Sequence, residues 1–271
     1  MKSPALPIGV ILLASAPLAA AATDPTQGPP VAVSGIEDRL LFSADGDWLT
    51  GGSGGGGATA LWSHTFAPQE AINAGAEYEQ VANSHWTNGI LSGSFGLGSG
   101  TPAATVYFDA HVGAGDLAQR GFHYSVITAG LLEPATEWLT LQLEERRIDV
   151  DTTHGNLPKL GLLFRVAKPL LVSVSFADTA GGNLGTRLTT VRADYTSAAL
   201  NALAGVAHGQ AAPAVLNLLG QIVQPAPTLN EVFAGLGTSI GRSAWQVVAD
   251  YTDLSGFKRT TVTLSCTLPL D

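Results

Sequence analysis

The sequence predicts an all-β chain, an antiparallel up-and-down transmembrane β-barrel of about 14 strands, within roughly 12–16. Three observations carry this. Only 13% of the 271 residues are charged, about half the usual supply for a soluble domain. Segments of roughly ten residues alternate in polarity, with Gly, Pro, Asn, Asp and Ser clusters between them. Where the alternation is clean, the polar face carries Thr, Ser, Asn, Gln and Gly instead of the Lys and Glu of a wetted surface.

Residues 1–22 read as a secretory signal: Lys2, an apolar run over 8–20, and Ala20-Ala21-Ala22 as small residues before Thr23. Residues 23–57 read as an extended leader rich in Gly and Pro, with 39–49 available as a first strand. Its run Gly51-Gly52-Ser53-Gly54-Gly55-Gly56-Gly57 reads as a flexible loop, because it offers almost no side-chain surface to pack. No Gly-Lys-Ser/Thr ending follows, so it is not a phosphate loop.

The barrel is expected over 58–271. In 104–113, Val106, Phe108, Ala110 and Val112 share one face, and Thr105, Tyr107, Asp109 and His111 the other. In 137–146, Leu139, Leu141 and Leu143 oppose Thr140, Gln142 and Glu144. In 245–251, Trp245, Val247, Ala249 and Tyr251 oppose Gln246, Val248 and Asp250. At the end, Val262, Leu264, Cys266 and Leu268 oppose Thr261, Thr263, Ser265 and Thr267. Less regular strands are expected at 60–66, 71–81, 86–97, 121–131, 160–166, 171–177, 188–195, 200–208, 215–223 and 230–237. Of these, 200–206 and 215–219 are apolar enough to form helical turns instead. Short connections such as 167–169 and 224–227 make neighbouring strands antiparallel.

Composition also excludes partners and cofactors. The net charge is −9, and no Lys/Arg cluster exists to follow a phosphate backbone, so no nucleic acid is expected. A single cysteine, Cys266, permits neither an internal disulfide nor a multi-cysteine metal site. No C-x-x-C-H motif is present, and neither cofactor nor metal is expected. No window reaches the 18 or so apolar residues of a spanning helix.

An open sheet of this length would leave edges, and closure removes them. A soluble barrel or sandwich would put its apolar face inward; a membrane barrel puts it against lipid. The uncharged polar face favours the membrane barrel. So do Trp86, Trp138, Tyr195, Trp245 and Tyr251, which fall near strand ends where an interfacial belt would lie. On this alternation the chain resembles Gram-negative outer-membrane β-barrel proteins of the porin kind. With Trp86-Thr87-Asn88 and its glycine-rich strands it also looks like the YaiO-type barrels. The resemblance implies the outer membrane as location, lipid as surroundings and small hydrophilic solutes or a periplasmic protein as partners. Such barrels end on an aromatic residue; here the end is Leu268-Pro269-Leu270-Asp271, which departs from the pattern.

Candidate site residues are those expected to line the lumen: Tyr107, Asp109, His111, His123, Ser125, Gln142, Glu144, Arg165, Arg192, Asp194 and Asp250, with Glu77 and Glu79 beside them. If the hairpin turn centres on Leu117, His111 faces His123 and Asp109 faces Ser125, with Cβ atoms about 5 Å apart. A carboxylate, two imidazoles and a hydroxyl then meet, which are the parts of a hydrolytic relay. A lumen that merely needs polar side chains explains the same residues. Glu144, Glu145, Arg146, Arg147, Asp149 and Asp151 are expected at a strand end and in a loop over 149–158. Arg192 and Asp194 share a face and can pair. Three readings stay open: a passive channel or scaffold for a periplasmic partner, an outer-membrane lipid or glycan hydrolase, and a secreted soluble β-protein that binds a ligand. The excess of acidic groups would favour cations in an open pore.

Overall fold

The computed structural model describes residues 37–50, 54–67, 70–81, 84–98, 104–117, 120–150, 153–210, 228–254 and 257–270. The signal segment, the strand expected at 215–223 and Asp151 lie outside them. The chain forms a closed antiparallel ring of fourteen long strands. They are β1 (Glu37–Leu49), β2 (Gly54–Ala67), β3 (Glu70–Val81), β4 (Ser84–Leu97), β5 (Ala104–Leu117), β6 (Arg120–Pro134), β7 (Leu139–Val150) and β8 (Thr153–Ala167). After β9 (Leu170–Asp178) and the three-residue β10 (Ala180–Gly182) come β11 (Arg187–Thr196), β12 (Asn201–Gln210), β13 (Thr228–Ile240), β14 (Ser243–Leu254) and β15 (Phe257–Pro269). Sequential strands are neighbours, β1 pairs with β15, and β10 adds to the end of β8. Among the described residues no helix is long and apolar enough to cross a membrane.

The strand expected at 200–208 is β12; its apolar part, 200–206, does not turn helical because its carbonyls and amides are claimed by β11 and β13. One expectation from local sequence changes. Gly54–Gly57, expected as a flexible loop, opens β2 and pairs on both sides, with β1 and with β3. Glycine run and ladder are compatible because neighbouring strands supply the hydrogen bonds that the missing side chains cannot.

Following register partners round the ring from Glu37 passes Thr65, Ala71, Ser94, Tyr107, Gly130, Glu144 and Lys159, and reaches Phe257 by way of Leu188 and Leu254. The register Leu49↔Arg259 then returns the path to β1 beyond Leu49. The shear is therefore about fourteen, equal to the strand number, which sets a strand tilt of about 36°. At about 4.8 Å between strands, the backbone cylinder has a radius of about 13 Å. That leaves a bore only a few side chains wide.

Period two sorts the residues onto two faces. Outside lie Phe42, Leu91, Val112, Ile127, Leu143 and Leu264, all between 45% and 54% exposed. On a soluble protein such a wall of exposed apolar side chains would aggregate; against hydrocarbon it is the expected surface. Aromatic side chains mark its two borders: Phe66, Phe95, Trp138 and Trp245 near the mouth that carries both termini, and Trp48, Tyr78 and Tyr251 near the other. Trp245 and Tyr251 are six residues apart on β14, about 16 Å along the barrel axis. Inside, polar and charged groups are buried alongside Trp86, Leu61 and Phe233. Phe233 lies over its register partner Gly205, where a Cβ would collide with the ring. An aromatic ring over a cross-strand glycine lets a tightly curved wall keep its packing.

Candidate functional site

The inner wall between the mid-plane and the far mouth, remote from the termini, has two unlike arcs. From β13 round to β5 it carries carboxylates: Glu231, Asp250, Asp45, Asp47, Glu77, Glu79 and Asp109. Every one sits on the inward parity of its strand. The cationic groups among them are Arg259 and His111.

Three local networks organise that arc. Arg259 Nε and Nη2 donate to Asp47 at 2.9 and 2.6 Å, and the Thr261 hydroxyl donates to the same carboxylate at 2.7 Å. This fork-to-fork pair joins the first and last strands at the seam that closes the barrel. His111 Nε2 lies 3.0–3.1 Å from the Asp109 carboxylate, and its Nδ1 lies 3.7 Å from Glu77 Oε2. Asn88 Nδ2 donates to Glu77 Oε2 at 3.1 Å. Farther round, the Thr252 hydroxyl donates to Asp250 at 2.8 Å.

The opposite arc, β7 to β11, carries Arg146, Lys159 and Arg192 against Glu144 and Asp194, with the Arg192–Asp194 pair on its termini side. Glu144 is the hub. It accepts from the Tyr107 hydroxyl at 2.8 Å and from Gln142 Nε2 at 3.2 Å, and pairs with Lys159 at 2.9 Å and Arg146 at 3.2 Å. Tyr107 reaches it by crossing Gly130, its register partner on β6, where any Cβ would overlap the ring. Arg192 and Asp194 pair at 2.6 Å.

Several sequence-derived candidates are placed differently from expectation. The β5–β6 register pairs His111 with Val126 and Asp109 with Thr128, three residues away from the assumed alignment. An odd shift changes the face. His123 and Ser125 are therefore on the outer surface, next to Ala114 and Val112, while Asp109 and His111 point inward. The four groups do not meet, and the hydrolytic relay is not assembled. The charged run is also divided differently. Because β7 continues to Val150 and β8 begins at Thr153, residues 149–158 are mostly strand. Glu144 and Arg146 face in, whereas Glu145, Arg147 and Asp149 are exposed outside. Arg165 has inward parity but lies exposed at the termini-side mouth, where a bulge interrupts the β8–β9 pairing. Gln142, Arg192, Asp194 and Asp250 lie on the inner wall. Asp45, Asp47 and Arg259, also on the inner wall, are not among the sequence-derived candidates. The alternation Asp45-Gly46-Asp47-Trp48-Leu49 was the available signal, obscured by the glycine run that follows.

No known family and no curated protein matches the sequence. Solved structures do. The TodX deltaS2S3 mutant, a monoaromatic hydrocarbon channel, aligns with a TM-score of 0.57 at 8% identity, covering 93% of this chain and 94% of that one. CymD, also a monoaromatic hydrocarbon channel, gives 0.54 at 10% identity over 86% of this chain and 88% of the other. Omp33 of Acinetobacter baumannii gives 0.53 at 10% identity over 88% of this chain and all of the other. The chain has the fold of an outer-membrane porin-like barrel. At these identities the likeness concerns architecture alone, and the lumen chemistry must be read from this chain's own residues.

Proposed function

We propose that the protein is a passive channel of the bacterial outer membrane, admitting small hydrophilic solutes with a preference for cations. The observation that carries the reading is the inner wall: a closed barrel with an apolar exterior holds an arc of buried carboxylates facing an arc of Arg and Lys. A protein with no aqueous path has little reason to line its interior with ionised groups, whose burial is costly. The acidic arc outweighs its own cations, so its local potential draws positive charge and repels anions. The termini-side mouth then faces the periplasm, as in even-stranded barrels with short periplasmic turns.

Reconstitution into a planar bilayer under a KCl gradient tests this. The expected result is steady current with a reversal potential of the sign for cation selectivity. Asp109→Asn combined with Glu231→Gln should move that potential toward zero. The absence of current at any voltage would remove the channel reading and leave a scaffold role for the barrel. An anion-selective reversal potential would remove the selectivity argument.

A further inference from the structure

The densest part of the acidic arc has a construction that the channel reading does not require. On β1, Asp45 and Asp47 point inward; on β3, Glu77 and Glu79 do the same. Between them runs the start of β2, where Asp45 pairs with Gly57, Asp47 with Gly55, and Gly57 with Glu79. Side chains two strands apart normally stand about 10 Å from each other. Beside Asp45, Asp47 and Glu79 the intervening strand presents only glycine, so these three carboxylates lean over it and converge, whereas Glu77 stands opposite Thr59. A Cβ on Gly57 would fall 2.5 Å from the Glu79 carboxyl carbon, so Glu79 occupies the volume that a side chain would have taken. Carboxylate oxygens of Asp45, Asp47 and Glu79 lie within 4.8 Å of one another. Oxygens bound to one Ca²⁺ at 2.3–2.6 Å span up to about that distance.

The charges of this group are not balanced from within. Arg259 and Thr261 give their hydrogen bonds to Asp47, and the single guanidinium, which also acts through space on Asp45 and Glu79, faces all of these carboxylates. Glu77 is held by Asn88 and lies near His111. Asp45 accepts the Gly57 backbone N–H and leaves Oδ2 without a partner. Glu79 is 1% exposed, and its Oε2 has no hydrogen-bond partner. A buried carboxylate oxygen with nothing to accept from is a costly feature unless a cation is part of the design.

We propose that Asp45, Asp47 and Glu79 form a binding site for a hard divalent cation, Ca²⁺ foremost, on the inner wall of the barrel. The donors are oxygen only, with no imidazole or thiolate in the set, which suits Ca²⁺ better than Zn²⁺ or Cu²⁺. Asp47 can serve both Arg259 and a metal, since a carboxylate offers about four lone-pair sites. Lumen water would complete the coordination shell. Bound there, the ion ties β1 to β3 across a stretch of β2 that contributes no side-chain packing, so it acts as a staple for the weakest part of the wall. The site depends on the inner-wall geometry and not on conduction, so its test reads binding without current.

The test uses the full chain folded in detergent and freed of metal with a chelator. Tb³⁺ is the first probe, because it takes Ca²⁺-type sites and Trp86, the buried register partner of Glu79, is placed to sensitise its emission. The expected result is saturable Tb³⁺ emission excited through tryptophan and displaced by Ca²⁺. Saturating Ca²⁺ should also raise the apparent Tm of the gel-mobility unfolding transition by about 5–10 °C. Glu79→Gln keeps the shape and removes one charge. It should fold, lose at least tenfold in Tb³⁺ affinity and lose the Ca²⁺-dependent rise in Tm. Glu145→Gln, which changes an outward carboxylate, should retain both responses. Absence of saturable emission in the wild type, or equal responses in the wild type and Glu79→Gln, would overturn the assignment.

Discussion

Removing the Arg259 guanidinium should cost this barrel more than any exposed ion-pair deletion. Arg259 is 7% exposed and Asp47 3%, and two charge-assisted hydrogen bonds of 2.9 and 2.6 Å join them across the β1–β15 seam. Arg259→Gln leaves Asp47 buried beside Asp45, with Glu77 and Glu79 two strands away. Breaking one half of a buried pair costs about 3–5 kcal/mol, since the remaining charge keeps its desolvation penalty without its partner. With a urea dependence of roughly 3 kcal/mol per molar, the unfolding midpoint should fall by about 1–1.7 M. The assay is urea unfolding in lipid vesicles followed by tryptophan fluorescence, with chelator present so that no bound cation masks the charge. Arg187→Gln is the control: its partner Asp178 is 2.7 Å away, but the pair is on the outside and exposed, and no resolvable shift is expected. Replacing Arg259 and Asp47 together by Leu should restore most of the loss, because no buried charge is then stranded. A midpoint shift below about 0.3 M for Arg259→Gln would refute the idea that this pair holds the seam.

Two further outcomes test the faces and the register. Leu143→Arg, on the lipid side of β7, should destabilise the barrel by about 2–4 kcal/mol in the same assay, and an effect near zero would argue that this surface meets water. In a Cys266→Ser background, the pair His111→Cys with Val126→Cys should form a cross-strand disulfide, whereas His111→Cys with His123→Cys should not. The reverse pattern would restore the assumed hairpin alignment.

Much of the architecture was readable because a barrel wall obeys a local rule. Side chains at even spacing share a face whatever lies beside the strand, so Val106 and Val112 outside, and Asp109 and His111 inside, follow from their own strand alone. Glutamates 77 and 79 were likewise visible as inward candidates. Contacts between strands were less accessible. A turn centred on Leu117 pairs His123 with His111, but the true register differs by three residues and puts His123 on the outer surface. The run Gly54–Gly57 looks like a loop because it lacks side chains, but its role is set by Asp45 and Glu79 on either side of it.

The sequence by itself determined that the chain is a strand-built shell with its apolar face outward. That information is carried by period two and by the scarcity of charge, both properties of single segments. The tertiary structure alone decided which inward groups meet: Arg259 with Asp47 across 212 residues, Tyr107 with Glu144 over Gly130, and three carboxylates over a bare strand. The physical reason is that registers in a closed barrel are coupled. Each strand's alignment must add up to one shear around the ring, so a local turn cannot set its own pairing, and the lumen's chemistry emerges only on closure.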